Sequence, residues 1–292
     1  MNNPIEPLEL SAPLALQLAP TLCRLDPATG ESCAWSHGLW QYLRLFGLVG
    51  SIEYHTDFYR QALSTVDAAG TKPRILISGA ADYGLLARVI MAFRERGLEP
   101  DITVVDLCPT PLHLNRWYAE RVGCAIEICV CDIHAYTTAA PFDAICADSF
   151  LGRFAPEERN PLIAKWHGLL RPGGAVITVN RVRAGGGGSA AVGFSTDQAI
   201  AFANRVRSAA ENMGSALGAD AQAFTRLARD YTARHRTWPV VSATEFGALF
   251  ERAGFRLERV LTELTPAENQ DLPDTPSVRG SGTFARIVAV KN

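Results

Sequence analysis

The sequence carries no surplus of charge, no long apolar run and no internal repeat, and each absence narrows what the protein can be. Its 28 basic and 30 acidic residues leave a formal charge of −2, so no long-range field draws it to a phosphate backbone or an anionic bilayer. Neither a nucleic-acid partner nor a membrane partner is expected. Asp, Arg or Glu interrupts every apolar stretch before it reaches the length of a bilayer span. Residues Met1 to Leu10 include Glu6 and Glu9 and lack the cationic-then-apolar order of a secretory signal, so a cytoplasmic location is expected. The seven cysteines are odd in number, and Cys108, Cys124, Cys129, Cys131 and Cys146 fall in or beside apolar β-like segments. Cys129 and Cys131 share a strand face without the usual ligand spacing. Free thiols packed as small hydrophobes, with no metal centre, are the expectation.

What the sequence has is an alternation of short apolar runs and helical periods. At 292 residues, with 48% hydrophobic and 20% charged residues, it can bury a sizeable core. Residues 1–30, rich in Pro and Leu, read as an extended arm. From Ser36 to about Asp67 the pattern is helical, with Leu39, Leu43, Leu45 and Phe46 clustered on one helix and Tyr54, Phe58 and Ala62 repeating on a second. Gly47 and Gly50 mark the break between them. Residues 1–70 thus form an arm and helical cap, and residues 71–292 a single α/β domain.

In that domain Arg74–Ser78, Asp101–Asp106, Ala125–Cys131, Phe142–Ala147 and Ala175–Val179 read as strands separated by helices. Such an order predicts a doubly wound, mostly parallel sheet of Rossmann-like type, covered on both faces. A helical insert spans about 181–240, after a polar loop at Gly185 to Ser189. Thr244 is a candidate cap for the next helix. Phe255–Val260 and Thr283–Val290 complete seven strands as an edge hairpin.

Ligands of open parallel sheets bind beyond the carboxyl ends of the strands, near the point where strand order reverses. The strand ends here carry Gly79, Asp106, Asp132 and Asp148. Gly79 lets a ligand approach backbone closely. Asp106 can accept both hydroxyls of a ribose, although it stands 27 residues beyond Gly79, further than the roughly 20 of the dinucleotide fingerprint. Asp132 can accept from an adenine amine while Ile133 packs the ring, and Asp148 faces the reaction centre. The turn Gly79-Ala-Ala-Asp-Tyr-Gly84 is not G-x-G-x-x-G, which disfavours a nicotinamide dehydrogenase.

Over about residues 72–292 the chain resembles the class I S-adenosylmethionine-dependent methyltransferases. The matching pieces are Ile75-Leu-Ile-Ser-Gly79, Val104-Val-Asp106, Cys131-Asp-Ile133, Phe142-Asp-Ala-Ile-Cys-Ala-Asp148, Leu169-Leu-Arg-Pro-Gly-Gly174 and Leu249-Phe-Glu-Arg-Ala-Gly-Phe255. The resemblance implies S-adenosyl-L-methionine as cofactor, with its ribose on Asp106 and the neighbouring Leu107, its adenine at Asp132 and Ile133, and Gly79 opposite its amino-acid portion. The first loop departs from the family pattern: Ile77 stands at the usual acidic position, and Ala81 and Tyr83 replace glycines. Asp82 or Ser78 would then receive the cofactor's ammonium, with Tyr83 closing over it.

Methylation of a small molecule is the expected reaction, because the sulfonium already activates the methyl group and the protein has mainly to align a nucleophile. His55, Tyr59 and Asp148 are the candidate catalytic groups, Asp148 being a candidate cofactor contact as well, and Tyr54 and Arg153 are the candidate substrate contacts. Trp35, His37 and Trp40 form a candidate lid, and Arg181, Arg183, Arg205, Arg234 and Arg236 of the insert are candidates for a carboxylate. Two alternatives stand beside methylation. One is consumption of the same cofactor by ring closure of its aminobutyrate arm with release of methylthioadenosine; the other is a non-catalytic binding role. A homodimer is compatible with the sequence.

Overall fold

The computed structural model describes residues 6–26, 29–49, 52–66, 72–183, 190–213, 220–264 and 283–292. The expected loop at 185–189 and the expected break at Gly50 lie outside the described residues. Seven strands form one sheet: β1 (Arg74–Ser78), β2 (Asp101–Asp106), β3 (Ile126–Val130), β4 (Phe142–Asp148), β5 (Leu170–Val182), β6 (Phe255–Leu264) and β7 (Thr283–Lys291). Their order is β3-β2-β1-β4-β5-β7-β6. The first five run parallel, β7 is antiparallel to β5, and β6 is antiparallel to β7 at the edge.

Alternation along the strands divides the core. Ile75, Ile77, Ile102, Val104, Ala144 and Cys146 face one layer. There they meet α3 (Thr56–Ser64), α4 (Gly84–Arg94) and α5 (Pro109–Arg121). Leu76, Val105, Ile145 and Ala147 face α6 (Pro156–Leu169) and α9 (Ala243–Arg252), where Trp166, Phe246 and Phe250 are fully buried. Each such aliphatic side chain contributes about 1.5–3 kcal/mol of transfer free energy, which explains why strands buried on both faces read as near-continuous apolar runs.

Three local expectations are corrected. Most of the supposed arm is a helix, α1 (Leu8–Leu22), despite Pro13 and Pro20 inside it. Leu8, Ala12, Ala15 and Ala19 recur at helical spacing and are buried, and that packing outweighs the two lost backbone donors. Ser242, not Thr244, caps α9, accepting from the Glu245 amide at 3.0 Å. The Arg171-Pro-Gly-Gly174 turn is absorbed into the start of β5, where the register with β4 shifts and Gly173 has φ +74°.

The N-terminal helices and the insert build one layer. Tyr42 and Leu43 of α2 (Ala34–Leu45) share a buried cluster with Phe202 and Val206 of α7 (Thr196–Met213) and Phe224 and Tyr231 of α8 (Ala221–Arg234). A buried ionic network ties this layer to the sheet. Arg44 of α2 binds Glu6 at 2.6 Å and Asp82 at 2.7 Å, and Glu6 also pairs with Arg88 of α4.

Removing one partner from such a network strands a buried charge, at a cost of about 3–5 kcal/mol. Glu6→Ala should therefore lower the unfolding free energy by about that amount in urea titration, whereas truncating exposed Ile200 should change it by less than about 0.5 kcal/mol. A Glu6 variant as stable as the parent would show that the segment is not docked.

Candidate functional site

The chain runs outward from β1 to β3 and then returns to β4, so strand order reverses between β1 and β4. Connections leaving the carboxyl ends of these two strands diverge and leave a crevice. A cavity of about 820 Å³ opens there. Of the strand-end residues singled out in the sequence, Gly79, Asp106, Asp132 and Asp148 all line it, as do Asp82, Leu107 and Ile133.

Gly79 has φ +76°, and a Cβ at this position would lie 2.3–2.8 Å from carbons of the Phe150 ring, so both the conformation and the close approach demand glycine. Asp106 is held by two backbone donors: Ala80 N–H to Oδ2 at 2.8 Å and Cys108 N–H to Oδ1 at 2.7 Å. Each carboxylate oxygen keeps further acceptor capacity, enough for a pair of hydroxyls. Burial pushes the pKa of Asp106 above the ordinary carboxylate value, and the two backbone bonds oppose that rise. Exposed Asp132 accepts the His134 amide at 2.9 Å, while Ile133 beside it is buried.

Asp148 ends β4 and is followed by Ser149 at φ +51°, an unfavourable conformation for a residue with a side chain. The Tyr59 hydroxyl lies 2.9 Å from the Ala147 carbonyl and 3.1 Å from Asp148 Oδ2, so its one hydrogen serves either acceptor. Burial pushes the Asp148 carboxyl up to about 6, against the lowering effect of its bonds from Tyr59 and Ser149. Tyr54 and Arg153 also line the cavity, with Arg153 donating to the Arg236 carbonyl at 3.4 Å.

Four expected site residues point elsewhere. Ser78 is buried and accepts from the Trp166 indole N–H at 2.9 Å, because the residue before Gly79 faces the α6 layer. Tyr83 does not close over the cleft: it is buried, stacked on Tyr118 at 4.6 Å and hydrogen-bonded to the Ser11 hydroxyl at 2.8 Å. His55 lies outside the cavity wall, its Nδ1 accepting from Arg286, and burial followed by the Arg286 charge lowers its pKa to about 3. Tyr59 is fully buried and reaches the cavity only through Asp148. Asp82 does line the cleft, but its carboxylate is engaged by Arg44.

Residues not singled out in the sequence complete the wall. Phe150 covers Gly79, and Asn180 and His235 line the far side, with Asn180 Oδ1 and His235 Nδ1 lacking partners among the described residues. His235 stacks on Tyr231 at 4.9 Å. Burial, with Arg153, Arg236 and Arg183 nearby, lowers its pKa to about 3 and leaves the imidazole neutral. Arg181 and Arg183 face the same end of the cavity. Arg234 instead pairs with Asp230 and Glu31, and neither it, Arg205 nor Arg236 lines this cavity. His37 and Trp40 of the expected aromatic lid do line it, and Trp35 packs against Tyr231. Cys33, His37 and Cys108 meet in the wall, next to Cys23. In the sequence only Cys33 and His37 of that grouping are one helical turn apart, whereas Cys108 stands 71 residues beyond His37.

The raised Asp148 carboxyl has a defined sign. Between its ordinary 3.8 and about 6, the folded chain holds a proton that the unfolded chain releases, so this group's contribution to stability falls as pH rises through that window. Carboxyl-carbon NMR should show Asp148 titrating near 6, and Tyr59→Phe, by removing a donor to the ionised form, should move it higher. Titration near 4 in the parent protein would refute this assignment.

A family model described as a methyltransferase domain matches residues 86–174, from α4 to the start of β5. Comparison with curated proteins gives no match. Among solved structures, the chain is similar to the apo form of the S-adenosylmethionine-dependent methyltransferase SibL, with TM-score 0.50 and 14% identity over 99% of this chain and 71% of that one. An O-methyltransferase family protein from Burkholderia thailandensis gives 0.49 and 12%, over 89% of this chain and 59% of that one, so the chain spans little more than half that protein's length. Magnesium protoporphyrin IX methyltransferase from Synechocystis PCC 6803 gives 0.49 and 11%, over 88% and 95%. At these identities the structural likeness concerns the fold. The segment matched by the methyltransferase-domain model includes β2, β3 and β4, whose carboxyl ends carry Asp106, Asp132 and Asp148, and the fold is Rossmann-like, as the order of strands predicts.

Proposed function

We propose that the protein transfers the methyl group of S-adenosyl-L-methionine to a small acceptor that carries an anionic group. The observation that carries this reading is the convergence of Asp106, Asp132, Gly79 and Asp148, from four successive parallel strands, on one cavity. The residues present fit the cofactor. Asp106 offers two hydroxyl acceptors held rigidly by backbone N–H groups, and Ile133 gives an apolar surface beside Asp132 for a purine. In place of the family's acidic residue and glycines, the cleft presents the Arg44–Asp82 ion pair, which complements the ammonium and carboxylate of an amino acid.

The cofactor supplies an electrophilic methyl group when bound. The protein has then to hold the acceptor in line, exclude water and take up a proton. Asp148 is placed to take up that proton, since one of its oxygens is steadied by Tyr59 and a carboxyl near 6 is ionised at neutral pH yet more basic than an ordinary aspartate. Tyr59 is a positioning residue. Arg153, Arg181 and Arg183 lie where an anionic acceptor group would sit, with neutral His235 and Asn180 as hydrogen-bonding partners. Ser36, His37, Trp40 and Arg44 of α2 and Tyr231 of α8 line the cavity and limit acceptor size.

Incubation with S-adenosylmethionine and a panel of small carboxylic acids should yield S-adenosylhomocysteine that depends on the acceptor. Methylthioadenosine formed without an acceptor would replace methylation by ring closure, and no cofactor binding at all would support a silent partner. Asp106→Ala should weaken cofactor affinity by about 1–3 kcal/mol through the lost hydroxyl bonds, measured by calorimetry; unchanged affinity would refute the ribose placement.

Asp148→Asn should cut kcat about 10²–10⁴-fold. The kcat profile of the parent should rise through pH 6 as Asp148 ionises, and Tyr59→Phe should shift that limb upward. A limb that stays in place in the Asp148 variant would assign the proton transfer elsewhere.

A further inference from the structure

Three thiols and an imidazole from three separate stretches of chain meet at one point. Cys23 ends α1, Cys33 precedes α2, His37 lies one turn into α2, and Cys108 precedes α5, two residues beyond Asp106. Their Sγ and ring-nitrogen atoms all lie within 4.8 Å of one another. Cys33 Sγ is 3.5 Å from Cys108 Sγ, and Cys23 Sγ is 3.4 Å from His37 Nδ1. A tetrahedral zinc ion with bonds of about 2.3 Å to sulfur and about 2.0 Å to nitrogen separates its ligands by about 3.8 Å (S···S) and about 3.5 Å (S···N). The observed spacings match that tetrahedron and are far from the roughly 2.05 Å of a disulfide.

We infer that Cys23, Cys33, His37 and Cys108 form a Cys₃His site for a zinc ion, which clasps the N-terminal helices to the β2–α5 turn beside the ribose-binding carboxylate. The donor set selects a borderline-soft divalent ion over magnesium or calcium, which take oxygen ligands. Four protein ligands close the coordination sphere, so the ion is structural and does not meet substrate. Cys33 and His37, spaced i and i+4, project from one face of the start of α2, as a shared ion requires. The Thr110 hydroxyl, 3.1 Å from Cys23 Sγ, can donate to the thiolate and steady it. Bridging α1, α2 and α5 fixes the cap over the cleft where buried apolar contact is sparse: among the described residues, only Ala19 and Ala34 share this small cluster with the cysteines. The site stands independently of the acceptor and of the methyl-transfer reading.

The test is metal analysis of the full chain purified without chelator from zinc-supplemented cells. About one zinc per chain is expected, and cobalt exchanged into the site should give thiolate-to-metal charge-transfer bands with intense tetrahedral d–d bands. X-ray absorption of the zinc protein should fit three sulfur atoms and one nitrogen. Cys33→Ser and Cys108→Ser should each weaken binding by more than the roughly 10–100-fold typical of lost outer-shell contacts, whereas His37→Cys, which restores a four-ligand set, should keep the metal. The double variant Cys129→Ser, Cys131→Ser should keep full stoichiometry. A metal-free parent protein, an octahedral cobalt spectrum, or a Cys33–Cys108 disulfide found by thiol titration would each overturn the site, and the spectra of the parent decide the matter even if the serine variants fail to fold.

Discussion

The cleft depends on the burial of four charges. Glu6, Arg44, Asp82 and Arg88 sum to zero, and each reaches a partner only when the N-terminal helices lie against the start of α4. Burial works against the Arg44 charge, but Asp82 and Glu6 outweigh it and hold the guanidinium protonated. An unpaired ion at this depth would cost several kcal/mol, so the network is close to all-or-none. It therefore docks the helical layer and sets the electrostatics at the end of the first loop in one step. The same ion pair lines the cavity, so docking of the cap and completion of the cavity wall are linked.

The cavity is chemically divided. On the β2 and β3 side it presents carboxylates and apolar surface suited to a nucleoside; on the β4 and β5 side it presents arginines, Asn180 and a neutral histidine. Asp148 stands at the boundary, with a carboxyl raised by burial and a strained neighbour at Ser149. Phe150, two residues on, closes against Gly79 across the switch point. The end of β4 and the connection to α6 thus supply the raised carboxyl and part of the cavity wall from a few consecutive residues.

Much of this is legible in the chain. The five parallel strands, the seven-stranded sheet and the strand-end aspartates follow from short apolar runs that end in polar residues, a pattern imposed by two-sided burial. α1 is not, because its two prolines mask the spacing of Ala12, Ala15 and Ala19. Ser78, Tyr83 and His55 look like cleft residues in the sequence because they adjoin Gly79, Asp82 and Tyr54, which do line it, and Tyr59 because its helix precedes β1. Side-chain direction alternates along a strand and turns through a helix start, so adjacency in sequence says little about which residues share a wall.

The sequence by itself determined the sheet class, the order of its strands, and which residues end the parallel strands. These are consequences of local periodicity and turn chemistry. Only the tertiary structure decided that Arg44 engages Asp82, that Phe150 covers Gly79, that His235 joins the wall while His55 leaves it, and that Cys23, Cys33 and His37 meet Cys108. Those contacts join residues from distant parts of the chain, and their partners are set by how whole layers pack, which no short window of sequence contains.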